Sequence, residues 1–322
     1  MLSYIVRRLL QIVPLLLAIS LIGFFVMQLA PGNYLDTLKM NPNISDQLVQ
    51  QLKEDYGLDQ PVWKQYVLWL WRALHLDFGR SFKWNVPVSH VIGTRLLNTL
   101  ILSSAALLIG WVIAIPIGVY AATHKYQWSD NLATVFAFVG LSIPNFFFAL
   151  LLQYLITQSG IDWPINGMTS MNYEWLSQWG KVIDVAQHLV IPAVVLGTAY
   201  VAGLMRQMRG QMLETINEDY IKTARAKGLS EQKVVYKHAF RNAVNPLITI
   251  LGFSISTLLS GAAITEIVTG WPGLGKMMLE AVMSRDIYLA QAGLMMSSLL
   301  LIVGNLAADI LLAVVDPRIR YD

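Results

Sequence analysis

The chain is expected to be an all-α, polytopic membrane protein with six transmembrane helices and a helical extracytoplasmic loop after the first of them. Three observations carry this expectation. Of the 322 residues, 55% are hydrophobic and only 13% charged, against about 25% charged in ordinary soluble domains. Mean hydropathy is +0.52. Six stretches also approach the ~20 apolar residues that a helix needs to cross ~30 Å of hydrocarbon.

The spans fall at residues 9–30, 96–123, 131–160, 185–205, 242–265 and 287–315. The first carries no formal charge; its apolar core is longer than the ~7–15 residues of a secretion signal, so it is expected to remain as an anchor. Pro14, Pro116, Pro144, Pro192 and Pro246 lie inside spans. A membrane helix tolerates proline where neighbours satisfy the freed carbonyls, so kinked helices packed in a bundle are expected.

An even number of spans puts both termini on one side, and Lys and Arg in short loops favour the cytoplasm. Arg7 and Arg8 precede the first span, and Arg318 and Arg320 follow the last. The loop at residues 206–241 holds Arg206, Arg209, Lys222, Arg225, Lys227, Lys233, Lys237 and Arg241, whereas the opposite short loops hold only Lys181, Lys276 and Arg285. The termini and the basic loop are therefore expected in the cytoplasm, with residues 31–95 outside. That outer loop is expected to hold two helices. The first is capped by Ser45 and ends at Gly57; the second opens at Pro61, with Val62, Tyr66, Trp69 and Leu70 at helical spacing. Trp69 and Trp71 suit the headgroup level. The implied division is an N-terminal helix at 1–30, the outer loop at 31–95, a five-helix membrane domain at 96–315 and a tail at 316–322.

Several motifs point elsewhere and fail on context. Ala224, Gly228 and Val234 have helix-turn-helix spacing, but a DNA-reading module needs a packed core of about three helices. Here about 36 residues join two spans, with acidic Glu214, Glu218, Asp219 and Glu231 interleaved. Residues 270–277, GWPGLGKM, nearly spell a phosphate-binding loop, yet Met277 stands where a hydroxyl would hold Mg²⁺. A glycine-permissive turn followed by a short helix fits those residues better. The five His residues are isolated, no cysteine is present, and no G-x-S-x-G occurs, so neither a metal site nor a catalytic residue is expected in this chain. Intramembrane carboxylates are nearly absent: Asp309 lies close to the inner end of the sixth span, and Glu266 close to the outer end of the fifth. Glu266 and the neutral polar residues Gln153, Ser256, Thr257 and Asn305 are the candidates for a translocation pathway or gate. The alternative for each is structural pairing between helices.

The basic loop has its own order. Asn217 is expected to cap a short helix, Glu218 and Asp219 to occupy its first turn, basic residues to follow, and Gly228 to close it; this charge order complements the helix dipole. Tyr220, Ile221 and Ala224 fall near one face. Such a helix, with Ala and Gly at its contact face, suits insertion into a groove on a partner. Ser230 then caps a second helix that leads into the fifth span.

The whole sequence resembles the inner-membrane permease of a peptide-type ATP-binding-cassette importer, the group whose members carry dipeptides, oligopeptides, nickel chelates or glutathione. The likeness is carried by YIVRRLLQIVPLLLAISLIGFFVMQLAPG near the start, YGLDQPVWKQY and LDFGRSF in the outer loop, DYIKTARAKGLSEQKVVYKHAFRNAVNPLIT in the basic loop, TEIVTGWPGLG, and the terminal DPRIRY. It implies the type I importer permease fold in a bacterial plasma membrane. It also implies a heterodimer with a second permease subunit, two cytoplasmic ATPase subunits that hold ATP and Mg²⁺, and an extracytoplasmic substrate-binding protein. By the same resemblance, coupling to the ATPase falls on Asp219, Tyr220, Thr223, Ala224, Arg225, Ala226, Lys227 and Gly228. The broader importer pattern begins Glu-Ala-Ala; here Lys222, Thr223 and Ala224 stand at those places, as is common in the peptide-type group. The alternatives are the same architecture importing another small solute, and an ion-coupled secondary transporter.

Overall fold

A computed structural model of the chain describes residues 2–29, 45–55, 57–248, 250–251, 254 and 262–315. These are almost entirely helical, as a chain surrounded by lipid requires: every backbone N–H and C=O must find its partner within the protein. The helices are α1 (Leu2–Leu29), α2 (Asp46–Asp55), α3 (Val62–Leu74), α4 (Val88–Thr123), α5 (Trp128–Ser142), α6 (Asn145–Ser159), α7 (Gln178–Ile216), α8 (Asp219–Ala226), α9 (Phe240–Ala243), α10 (Ala263–Val268), α11 (Leu274–Met283) and α12 (Ile287–Val315).

Four helical stretches are long and apolar enough to cross a membrane: Leu10–Leu29, Val88–Thr123, Gln178–Ile216 and Ile287–Leu306. The expected third span is not one rod. It breaks into α5 and α6, which meet at 104°, because Pro144 has no N–H to continue the ladder and biases Ile143 away from helical geometry. Ile143 is extended, with φ −83° and ψ 119°. The described spans therefore number four, or five if the bent pair is one. Much of the expected fifth span, including Ser256 and Thr257, lies outside the described residues.

The chain divides into two compact units. The first comprises Thr99–Pro272 with Val303–Asp322, and the second Leu2–Asn98 with Gly273–Ile302. In the first unit, α4 and α7 approach closely along glycine. A Cβ on Gly118 would lie 2.7 Å from Met208 Cβ and 2.8 Å from Met205 O, and one on Gly197 would lie 2.9 Å from Ile109 Cγ2. Small residues permit this approach where no hydrophobic force between helices exists in lipid. Arg209, late in α7, holds Asp130 in the first turn of α5 through Nε–Oδ1 at 2.6 Å and Nη2–Oδ2 at 2.7 Å. Tyr126 N donates to the same carboxylate at 3.0 Å.

In the second unit, Val88, Val91 and Ile92 of α4 pack with Leu274, Met277 and Ala281 of α11 and Leu289 of α12. Met277, the residue that spoils the phosphate-loop match, is a buried core residue. Asp286 caps α12: its Oδ1 accepts from Leu289 N at 3.1 Å, and its Oδ2 accepts from Ser81 Oγ at 2.5 Å and Lys83 N at 3.1 Å. This fastens the LDFGRSF segment to the start of α12. The outer-loop helices form as expected, and Gly57 closes α2 at φ 63°. The two tryptophans part company, however. Trp69 is buried at 3% exposure and Trp71 is open at 64%, since α3 turns Trp69 inward beside Ala73.

A methyl group on Gly118 has no room, whereas one on Gly203 meets nothing within 4 Å. Gly118→Ala is expected to destabilise the first unit by about 1–3 kcal/mol through overpacking. Gly203→Ala is expected to be neutral or to stabilise by roughly 0.5–1 kcal/mol, the ordinary gain from removing a helical glycine. Thermal unfolding of the two variants in detergent checks the contrast.

Candidate functional site

The basic segment after α7 builds a helix too short to stand alone. An isolated helix below about 12 residues is marginal in water, and α8 spans only Asp219–Ala226. Burial supplies what length does not. Ile221 has no exposed surface, and Ala224 is 8% exposed. Both pack into a cluster with Met208 and Met212 of α7, Val119 and Ala122 of α4, and Val234, Val235 and Ala239 beyond the turn. The segment Lys233–Ala239 is wound as a π-helix, a form frequent at functional sites.

The ends of α8 differ from expectation in one respect. Asn217 does not cap it. Asn217 finishes α7, and its Nδ2 donates back to Leu213 O at 2.7 Å. Glu218 occupies the N-cap position with extended backbone and no side-chain capping bond. At the other end Gly228 closes the helix at φ 78°, and its N–H donates to Arg225 O at 2.9 Å. A side chain there would face the left-handed penalty of about 1–2 kcal/mol.

With Ile221 and Ala224 turned inward, the outer face of α8 presents Asp219, Tyr220, Lys222, Thr223, Arg225 and Ala226, followed by Lys227 and Gly228. Ala224 thus belongs to the chain's own core and not to the exposed face. The surface is braced. Lys222 Nζ lies 2.8 Å from Asp219 Oδ1, and Thr223 Oγ1 donates to Asp219 O at 2.9 Å. Arg225 grips Glu231 by two bonds, at 2.7 and 3.1 Å. The Arg225 guanidinium holds the Glu231 carboxyl below the usual carboxylate range. Asn242 Nδ2 donates to Tyr220 Oη at 2.7 Å, tying α8 to the helix that follows. Chemically, the face is a mixed-charge knob with small residues at Ala226 and Gly228.

The pathway candidates are placed differently. Gln153 of α6 is 9% exposed, and its amide donates to Ile165 O at 2.9 Å, Asn166 Oδ1 at 3.0 Å and Val268 O at 3.4 Å. It clasps the loop after α6 to the end of α10. Glu266 lies on α10 itself, fully buried, and accepts from Thr99 Oγ1 at 2.6 Å. The structure therefore brings Gln153 and Glu266 to one short helix. Asn305 is half-buried on α12; Ser256 and Thr257 lie outside the described residues. Next to this point, Gly270 sits at φ 70° with Gly167 N only 3.1 Å from where a Cβ would be, and Trp271 is fully buried.

The sequence did not single out Asp184, His188 or the Asp130–Arg209 pair. Ser170 donates to Asp184 through both its N–H and its hydroxyl, and His188 Nδ1 lies 2.8 Å from Asp184 O. Asp130 and Arg209 are 79 residues apart and Asp184 and Ser170 are 14 apart, so no local pattern announces either contact.

Two family models match the sequence. Residues 114–321 match the model described as binding-protein-dependent transport system inner membrane component. Residues 1–103 match the corresponding N-terminal membrane component model. The chain is similar, at 42% identity over all of both chains, to the oligopeptide transport system permease protein AppB of Bacillus subtilis (strain 168). It is 35% identical to the dipeptide transport system permease protein DppB of Escherichia coli (strain K12), over 100% of this chain and 99% of that one. Among solved structures, an inward-facing MetNI methionine ABC transporter matches 70% of this chain and 96% of its own, with TM-score 0.54 and 18% identity. An amino acid ABC transporter matches 72% of this chain and 95% of its own, with TM-score 0.51 and 17% identity. These two establish a shared helical permease fold.

Removing the guanidinium in Arg209→Ala leaves the Asp130 carboxylate, 1% exposed, without its charge partner. The expected loss is about 3–5 kcal/mol. Lys222→Ala breaks a pair whose side chains are 65% and 96% exposed, and is expected to cost no more than about 1 kcal/mol. Denaturant or thermal unfolding of purified variants measures both.

Proposed function

This chain belongs to the family of binding-protein-dependent transport system inner membrane components, and from that premise we propose that it is one of two permease subunits of an ATP-driven peptide importer. The relatives that match it end to end are named for oligopeptide and dipeptide transport. Peptide is accordingly the proposed substrate class, delivered by an extracytoplasmic binding protein. A second permease subunit completes the pathway. Two cytoplasmic ATPase subunits bind ATP and Mg²⁺ and supply the energy. Both termini and α8 face the cytoplasm of a bacterial cell, on the strength of the basic residues around them.

The observation that carries this proposal is the construction of α8. A helix of eight residues is nailed to the chain's own core by Ile221 and Ala224 and leaves its other face bare. Coupling to the ATPase then belongs to Asp219, Tyr220, Thr223, Arg225, Ala226, Lys227 and Gly228, with Ala224 as the anchor beneath them. A push on that face moves the core cluster as a body, and with it α4 and α7. Alternating access follows as rigid-body motion of packed helices. Gln153, Glu266 and Asn305, with Ser256 and Thr257, are proposed to line the pathway or its gate, where Gln153 and Glu266 are engaged in bonds that hold α10 in place.

Thr223→Trp and Ala226→Trp place bulk on the exposed face and leave the core untouched. If α8 docks in an ATPase groove, overpacking of about 1–3 kcal/mol weakens docking by roughly five- to hundredfold. Affinity of the ATPase subunits for the purified permease, and peptide uptake by vesicles, should both fall while thermal stability holds. Unchanged docking and uptake in both variants would reject α8 as the coupling element.

A further inference from the structure

The outer-loop helix α3 (Val62–Leu74) has three faces with three different surroundings. One is core: Trp69 and Ala73 are buried, and Tyr66 rests against Phe24 with ring centroids 5.4 Å apart. A second lines a cavity of about 450 Å³, to which Lys64, Gln65 and Arg72 contribute together with Glu54, Asp59 and Asp77. The third is apolar and open. Trp63, Val67, Trp71 and Leu74 recur at spacings of four and three, and are 65%, 54%, 64% and 70% exposed.

The depth of α3 follows from its contacts with α1. Gln28 Nε2 donates to Gln65 Oε1 at 3.2 Å, and Ser20 Oγ lies 3.0 Å from Tyr66 Oη. Leu16 shares the wall of a small cavity with Leu70, Ala73 and Leu74. As residue numbers rise in α3 they fall in α1, so the helices run antiparallel. The part of α1 that is long and apolar enough to cross a membrane includes Leu10–Leu29. At 1.5 Å per residue, Ser20 lies about 14 Å inside Leu29, close to the middle of a ~30 Å hydrocarbon layer. The neighbouring surface of α1 is itself open and apolar, with Leu21, Ile22, Phe25 and Val26 exposed.

We propose that α3 is embedded in the bilayer beside α1, entering from the Leu29 side and reaching to about the middle of the hydrocarbon, with Trp63, Val67, Trp71 and Leu74 in contact with lipid and its charged face turned to the cavity. A helix that shares the depth of a membrane span meets lipid on any apolar face it leaves open, and the stripe continues the exposed surface of α1. The polar residues are gathered on the cavity side, where water can reach them, which spares them the cost of entering hydrocarbon. Trp63 lies at the end of α3 that meets Gln28, and tryptophan favours the boundary between headgroups and hydrocarbon. α3 is thus a membrane-seated wedge beside α1, independent of what the transporter carries.

The chain contains no cysteine, so single cysteines in it can be labelled without background before it is assembled with its partners. Trp63→Cys, Val67→Cys and Trp71→Cys, each carrying an environment-sensitive nitrobenzoxadiazole dye, are compared in the assembled transporter in phosphatidylcholine vesicles. Phe25→Cys serves as the lipid-facing standard and Gln50→Cys as the water-facing one. Dyes at 63, 67 and 71 are expected to emit at the short wavelength of the Phe25 standard. Doxyl-labelled phosphatidylcholine should quench them, and aqueous iodide should not. Three dyes that follow the Gln50 standard would overturn the proposal. So would lipid quenching that disappears when the binding protein is added, because a protein would then be the occupant of the stripe. Testing three positions keeps the result readable if one tryptophan proves essential for folding.

Discussion

Ile221 and Ala224 are the two apolar side chains of α8 that the core encloses, and the rest of the basic loop is arranged around their burial. Eight residues make too few internal hydrogen bonds to hold a helix in water. Removing roughly 25 cal/mol of unfavourable hydration for each Å² of apolar surface covered is what keeps this one folded against Met208 and Met212. Take that contact away and the outer residues Thr223, Arg225 and Ala226 lose their fixed positions. The exposed pairs Lys222–Asp219 and Arg225–Glu231 cannot substitute, because surface ion pairs contribute little.

In the proposed coupling, the same cluster would carry a push on α8 to the spans. Close-packed side chains do not compress, so displacement of α8 reaches α7 through Met208 and Met212, and α4 through Val119 and Ala122. Gly118, which lets α4 lie directly on Met205 and Met208, stiffens that path. Arg209 extends it: its two bonds to Asp130 join the end of α7 to the beginning of α5. Charge and packing divide the labour. Packing resists compression, and the buried ion pair resists sliding.

Four of the expected spans were legible among the described residues, because lipid imposes a length and a polarity on any helix that crosses it. The α5–α6 corner was only half legible. Pro144 announced a kink, but apolar residues on both sides gave no hint of a right-angle bend. Trp69 and Trp71 are two residues apart, so a helix turns them to different surroundings, which composition alone does not reveal. Ala224 was read as part of a surface for a partner. Its spacing of three from Ile221, in an otherwise polar octet, was in fact the mark of an inward stripe. Asn217 has the chemistry of an N-cap, yet an amide can equally reach back to a carbonyl, and it does so at the end of α7. The Asp130–Arg209 pair joins residues 79 apart in sequence, and no local pattern encodes such a pairing.

Polar groups inside the first unit follow a common rule. Gln153, Asp184 and Glu266 are each buried, and each holds a loop or a short helix in place: Gln153 the segment at Ile165 and Asn166, Asp184 the backbone at Ser170, Glu266 the α10 helix against Thr99. An unsatisfied buried polar group costs about 1–3 kcal/mol, so these side chains are held by what they would lose on letting go. That holds the α10 neighbourhood in a well-defined arrangement. A residue on a gate must exchange one complete set of partners for another, and any opening of α10 must first find new acceptors for Gln153 and a new donor for Glu266. The amide of Gln153 carries two donors and already meets three acceptors, so it can trade one for another at small cost. Glu266 has no exposed surface and cannot turn to water without moving the helix that carries it. Of the two, Gln153 is built to adjust and Glu266 to hold.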